Sequence, residues 1–236
     1  MTFTQADFEI RCEWGLQGVT QLAPISDVVI IVDVFSFTTC VEIATQQGAL
    51  IYPYRGDHAA VFAESVGATL AAKWGNAGYS LSPHSLVQLP PGLRLILPSP
   101  NGSTLSLSTG QTPTLAGCLR NVQAVAAAAA TYGKQITLIP AGERWRADGS
   151  LRPAYEDWVG AGAIISQLSG RLSPEARAAR AAFLDAQGEL AQLISLCGSA
   201  KEHSEQGFAQ NVVLAASLNV SDCVPLLVDG AYRQVK

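Results

Sequence analysis

The stretch Val28-Val29-Ile30-Ile31-Val32-Asp33-Val34 constrains the fold more than any other, because β-branched aliphatic residues follow one another with no polar alternation. A strand with one wet face alternates apolar and polar side chains. A run this uniform therefore belongs in a sheet covered on both faces, the usual setting of parallel strands. Residues 49–52, 93–97 and 136–139 repeat the pattern, and 8–13 reads as one more strand. Helical segments separate them. Ser36 or Thr38 caps a helix running to Gln47, 57–66 forms a second, and the alanine-rich 121–132 forms a third that stops at Gly133. Beyond Pro153 the spacing turns helical at 153–168, 174–183, 189–196 and 208–218, before a strand returns at 224–228. Pro153 suits a first helical turn, and Gly160-Ala161-Gly162-Ala163 lets that helix approach another backbone closely. The charges of 171–189 spread along predicted helices as a solvated face. The expected fold is α/β, with a largely parallel or mixed sheet flanked by helices, a helix-rich C-terminal third and a single domain over 1–236.

Charged residues make up 14% of the chain, against about 25% in an average soluble domain, so a local cluster of charge is informative. The net charge of −4 argues against a nucleic-acid binder that works by neutralising phosphates. No window offers 18 consecutive apolar residues, and the segment from Met1 to Asp7 has neither a basic region nor an apolar core. The expectation is a cytoplasmic protein without a membrane partner. Five scattered cysteines (Cys12, Cys40, Cys118, Cys197, Cys223), none in a Cys-x-x-Cys pair, suggest reduced core thiols rather than disulfides or a zinc site.

In an open parallel sheet, ligands bind beyond the carboxyl ends of the strands. Three of those ends are polar. The first carries Asp33 and continues Val34-Phe35-Ser36-Phe37-Thr38-Thr39; its carboxylate suits either a helix cap or ion pair, or a site. The second is Pro98-Ser99-Pro100-Asn101-Gly102-Ser103-Thr104, where backbone N–H groups at a helix start suit an anion, although an ordinary capped turn has the same sequence pattern. The third follows Ile139-Pro140-Ala141-Gly142: seven of the 15 residues from 143 to 157 are charged (Glu143, Arg144, Arg146, Asp148, Arg152, Glu156, Asp157). Carboxylates mixed with arginines suit a divalent cation plus an anionic substrate, or else a solvated loop feeding a helix whose dipole welcomes Glu156 and Asp157. There is no P-loop, dinucleotide fingerprint or His-Glu-x-x-His, and Cys118 lies too close to Arg120 for a cysteine-phosphatase loop.

Taken together, VVIIVDVFSFTT (28–39), LPSPNGST (97–104), AGCLRN (116–121), RPAYEDWVGAGAII (152–165) and, more weakly, SAKEHSEQGFAQNVVLA (199–215) resemble the 2-phosphosulfolactate phosphatase family of coenzyme M biosynthesis, in the same order. The resemblance implies an α/β fold of unusual topology and a Mg²⁺-dependent phosphatase of a small sulfonated phosphate monoester. It selects Asp33, Asn101, Gly102, Thr104, Arg120, Asn121, Glu156 and Asp157, and beside them Glu143 and Lys201. The family's first motif commonly carries Arg and Ala where this chain has Ser36 and Phe37, and its last motif an arginine and an aspartate where Lys201 and Asn211 stand. Losing one guanidinium while another becomes an ammonium alters how a doubly anionic substrate is held.

The expected function is Mg²⁺-dependent hydrolysis of a small anionic phosphate monoester, with 2-phosphosulfolactate giving sulfolactate and phosphate. Asp33, Arg120, Asn121 and Lys201 are the candidate catalytic residues, and Ser36, Thr38, Asn101, Gly102, Ser103, Thr104 and Arg152 the candidate substrate contacts. Glu156, Asp157, Asp33 and Glu143 are candidate metal ligands, Asp33 alternatively orienting the attacking water. The alternative is a non-catalytic binder of a phosphorylated or sulfonated metabolite. A homo-oligomer is compatible with either.

Overall fold

The computed structural model describes residues 3–73 and 76–235; Met1 and Thr2 of the amino-terminal segment lie outside the described residues. The strands are β1 (Ile10–Cys12), β2 (Val28–Val32), β3 (Leu50–Tyr54), β4 (Thr69–Leu70), β5 (Arg94–Pro98), β6 (Thr114–Gly117), β7 (Ile136–Pro140), β8 (Glu143–Arg144), β9 (Leu151–Arg152), β10 (Val224–Val228) and β11 (Ala231–Val235). The α-helices are α1 (Gly15–Leu22), α2 (Phe37–Gln46), α3 (Ala59–Val66), α4 (Gly102–Ser106), α5 (Val122–Tyr132), α6 (Tyr155–Ile165), α7 (Pro174–Ala186), α8 (Leu190–Leu196), α9 (Gly198–Glu205) and α10 (Ala209–Ala215).

Among the described residues, nine strands form one sheet in the order β1-β7-β2-β6-β10-β11-β3-β5-β4, while β8 and β9 make a separate hairpin. The sheet is mixed and mostly parallel. β1, β7, β2 and β6 form one parallel block and β3, β5 and β4 another. The antiparallel hairpin β10–β11 is inserted between them, pairing with β6 on one side and β3 on the other. Each of those junctions reverses direction, so the two parallel blocks run opposite ways.

The uniform apolar run is explained by its surroundings. Every residue of β2 is fully buried; Val28, Ile30 and Val32 join a core with α5, α6 and α7, while Val29 and Ile31 face a second core under α1 and α4. Either face exposed would have forced polar alternation. Beyond the hairpin, α2 sets Phe37, Cys40, Val41 and Ile43 against Ile51, Leu95, Leu97 and Tyr232.

Helix α6 packs most closely on its neighbours, as its glycines require. A Cβ on Gly162 would stand 2.0 Å from the Ala179 carbonyl oxygen of α7, and one on Gly160 would stand 2.9 Å from Val34 Cγ2. Pro153 lies before this helix rather than in its first turn, because β9 holds Arg152 extended against Glu143 and Ala154 is the N-cap. Pro174 does occupy the first turn of α7, where the Ser173 hydroxyl accepts the Ala176 N–H at 3.0 Å. No helix among the described residues is long and apolar enough to cross a membrane.

Candidate active site

The turn after β2 is folded by its own hydroxyls. Thr38 Oγ1 donates to the Asp33 carbonyl at 2.8 Å and accepts the Asp33 N–H at 3.1 Å, and Thr39 Oγ1 donates to the Val34 carbonyl at 2.9 Å. These bonds present the Asp33 carboxylate to the turn that follows β5. There Gly102 N–H donates to Asp33 Oδ2 at 2.8 Å, while Phe37 N–H makes only a 3.4 Å approach to Oδ1. Only glycine fits at 102: an added Cβ would lie 2.2 Å from the Phe37 ring and 2.7 Å from Asp33 Oδ2.

The turn after β7 completes the arrangement. Asp157, in the first turn of α6, accepts Val34 N–H at 2.7 Å with Oδ1 and Gly142 N–H at 2.8 Å with Oδ2. One carboxylate thus ties the β2 turn to the β7 turn and sets the start of β8, from which Glu143 Oε2 accepts Asn101 Nδ2–H at 3.1 Å. Asp33, Ser36, Ser99, Asn101, Glu143, Ser199, Glu202 and His203 line one cavity of about 300 Å³, with Phe35, Leu81 and Pro100 as apolar wall.

This cavity is acidic and partly desolvated. Burial, and then the field of Glu143, lifts the Asp33 carboxyl to about 7 against the pull of the Phe37 and Gly102 N–H groups. Burial and Glu156 raise Glu143, while the Asn101 amide and Arg152 act the other way. Asp157 rises well above the usual carboxylate range through burial and the charges of Glu156 and Asp33. Burial keeps the His203 imidazole, 5.3 Å from the Phe35 ring, toward its neutral form. Carboxylates raised by one another's charge form an environment that a hard divalent cation relieves. Among the described residues, however, no three His, Cys, Asp or Glu side chains converge as a ready-made metal site.

Of the residues expected from sequence, Asp33, Ser36, Asn101 and Glu143 meet in this cavity. Ser36 Oγ is spent on the Leu81 carbonyl at 2.9 Å. Arg152 is not among the cavity-lining residues but bonds one of them, donating to Ser199 Oγ at 3.1 Å, and Glu156 Oε2 accepts the Cys197 thiol at 3.2 Å. Thr104 lines a neighbouring pocket of about 260 Å³ that shares Pro100 and Asn101 with the first and is otherwise walled by residues such as Trp14, Gln17 and Arg144.

Other expected residues have different surroundings. Arg120 is not among the residues lining the cavity: its Nε donates to Glu42 Oε2 at 2.5 Å and its Nη1 to the Leu214 carbonyl at 3.3 Å, so the guanidinium neutralises a fully buried glutamate. Asn121 is consumed in holding its own turn, accepting Cys118 N–H at 2.9 Å and donating to the Ala116 and Cys223 carbonyls. Thr38 and Ser103 are buried and serve backbone carbonyls, and Lys201 is exposed on α9. Asp157 has both oxygens committed to N–H groups, which suits a brace between turns. Burial lifts the Cys118 thiol to about 12, consistent with a structural thiol.

Sequence reasoning missed Ser99, Ser199, Glu202 and His203. The last three stand at i, i+3 and i+4, a spacing that shares one face of any helix, and here α9 turns that face to the cavity.

The sequence matches the profile of the 2-phosphosulpholactate phosphatase family over residues 17–230. It is 30% identical over 136 residues to the 2-phosphosulfolactate phosphatase of Methanothermobacter thermautotrophicus, an alignment covering 58% of this chain and 57% of that protein. It is 25% identical over 139 residues to a probable 2-phosphosulfolactate phosphatase of Pseudothermotoga lettingae, covering 58% and 59% respectively. Both alignments therefore span less than two thirds of the relatives' own length.

Proposed function

The chain belongs to the 2-phosphosulpholactate phosphatase family, and on that premise we propose that it is a phosphoric monoester hydrolase, with 2-phosphosulfolactate as substrate and Mg²⁺ as cofactor. The observation that carries the reading is the junction of three strand ends in one cavity: Asp33 after β2, Asn101 after β5 and Glu143 after β7.

The donor chemistry fits a magnesium ion. Asp33 and Glu143 are oxygen donors on the wall of one cavity, and burial together with neighbouring carboxylate charge raises both, an arrangement that a hard cation relieves. These two would hold the ion, since magnesium is usually bound through one or two carboxylates and keeps several waters; Glu156 accepts the Cys197 thiol instead, and Asp157 is the brace because its oxygens are already used. When bound, magnesium would offset the charge of the transferring phosphoryl oxygens. The protein's own part is to orient and to move a proton. Gly102 N–H fixes Asp33 Oδ2 and leaves Oδ1 less engaged. As an alternative to holding the ion, Asp33 would orient the attacking water through Oδ1 and accept its proton, and Asn101 holds Glu143 in the same cavity.

Phosphate release tests the reading. Purified protein is assayed with 2-phosphosulfolactate and a panel of small monoesters, in Mg²⁺ and then with a chelator. The expected result is phosphate release that disappears with chelator and returns with Mg²⁺. Binding of 2-phosphosulfolactate with no turnover of any ester would instead support a non-catalytic metabolite binder, and chelator-insensitive turnover would remove the metal assignment.

A further inference from the structure

The cavity has a charge problem. Asp33, Glu143 and Glu202 line it, and among the described residues its lining includes no lysine or arginine. A phosphate monoester bearing a further anionic group brings more negative charge than one divalent cation offsets. The guanidinium groups that touch the wall belong to the β8–β9 hairpin: Arg152 on Ser199, and Arg146 in an ion pair with Glu202.

The hairpin gives Arg146 a firm base. Trp145 N–H donates to the Ser150 carbonyl at 2.9 Å, Gly149 N–H to the Trp145 carbonyl at 2.9 Å, and Asp148 Oδ1 accepts both the Ser150 N–H and its hydroxyl. The Arg152 guanidinium lies 5.8 Å from the centre of the Trp145 ring, which further ties the two strands. The Arg146 side chain, by contrast, is 86% exposed, and Glu202 is 45% exposed. An ion pair that wet contributes little net stability, so changing partners costs little. A guanidinium that meets a carboxylate, sulfonate or phosphate can form two parallel charge-assisted bonds.

We propose that Arg146 is a specificity-determining residue that receives a second anionic group of the substrate, and that Glu202, on the cavity wall, holds it in reserve until the substrate arrives. The inference rests on the phosphatase reading above. It makes the chain selective for monoesters with an additional acid group, and it gives Glu202 the role of a competitor for that arginine.

The test compares kcat/KM for 2-phosphosulfolactate and for isopropyl phosphate, which lacks any second anion, in wild type, Arg146→Ala, Arg146→Lys and Glu202→Gln. Arg146→Ala should lower kcat/KM for 2-phosphosulfolactate at least tenfold, mainly through KM, with a loss at least fivefold smaller on isopropyl phosphate. Arg146→Lys should recover part of the loss. Glu202→Gln should move KM for 2-phosphosulfolactate downward, because it frees the arginine. A purely structural latch predicts the contrary: both Arg146→Ala and Glu202→Gln break the same contact and lose activity together on both esters. That outcome, or equal losses on the two esters in Arg146→Ala, would overturn the inference while leaving phosphatase activity intact. No phosphate release from either ester by wild type would instead remove the reading on which it stands, and the inference with it.

Discussion

Replacing Gly102 with alanine perturbs the site at its tightest point. The new Cβ would sit 2.2 Å from Phe37 Cδ1, 2.4 Å from Phe37 Cγ and 2.7 Å from Asp33 Oδ2, so something must move by roughly an ångström to restore normal contact. Phe37 has little room to do so, being fully buried and packed edge-on to Tyr232 with centroids 6.2 Å apart. Overpacking of this kind costs about 1–3 kcal/mol. Loosening the Gly102 N–H bond to the Asp33 carboxylate adds about 1.5–3 kcal/mol. The helix-propensity gain of alanine returns at most about 1 kcal/mol. The net loss of about 2–5 kcal/mol corresponds to a fall of about 5–15 °C in the melting midpoint for a chain this size. Because Asp33 is displaced as well, phosphate release should fall on the order of a hundredfold. Thermal melts and phosphate-release assays on Gly102→Ala measure both effects. Gly188→Ala serves as control, since among the described residues its added Cβ meets nothing within 4 Å beyond its own chain neighbours. A Gly102→Ala protein that melts within a degree of wild type and keeps half its activity would refute the packing argument.

Two further outcomes follow from the buried charges. Asp33 has its carboxyl raised from 3.8 to about 7 by burial and Glu143, so the folded state binds more protons than the unfolded state between those values; its contribution to stability is fullest below about pH 4 and is lost as pH rises through 7. Melts in chelator should therefore show the midpoint falling from pH 5 to 8, with Mg²⁺ reversing much of the fall at pH 8; a midpoint that rises over this interval would contradict the assignment. Arg120→Ala strips the fully buried Glu42 of its ion-pair partner, a loss of about 3–5 kcal/mol, so the midpoint should drop on the order of 10 °C, KM should stay within about threefold, and adding Glu42→Gln should restore part of the stability; an unchanged melt would count against the pair.

The sequence made the sheet legible wherever both faces are covered. The run through β2 could form nothing else once α1 and α4 closed one side and α5, α6 and α7 the other. Pairing order was not legible, because β10 and β11 come last in the chain yet separate the two parallel blocks. The short strand β6, Thr-Leu-Ala-Gly, carries too little pattern to read alone. In the site, Asp33, Asn101 and Glu143 were visible as polar residues at strand ends. Arg120 was chosen through the family resemblance, and nothing near it in sequence reveals its partner, because Glu42 lies 78 residues earlier, on α2. Glu156 and Asp157 looked equivalent in sequence; the arrival of the Val34 and Gly142 N–H groups makes Asp157 a brace, while Glu156 turns to the Cys197 thiol.

If the Asp33 cavity is the phosphatase centre, Asp33→Asn should abolish turnover without unfolding the chain. The substitution keeps the side chain's shape and an acceptor for the Gly102 N–H, while removing a charge that burial penalises. The measurement is phosphate release from 2-phosphosulfolactate in Mg²⁺ by wild type and Asp33→Asn, with the melting midpoint of each recorded in chelator at pH 8. The expected result is a loss of about a thousandfold or more in kcat, with a midpoint equal to or above that of wild type. Turnover by Asp33→Asn within tenfold of wild type would contradict it.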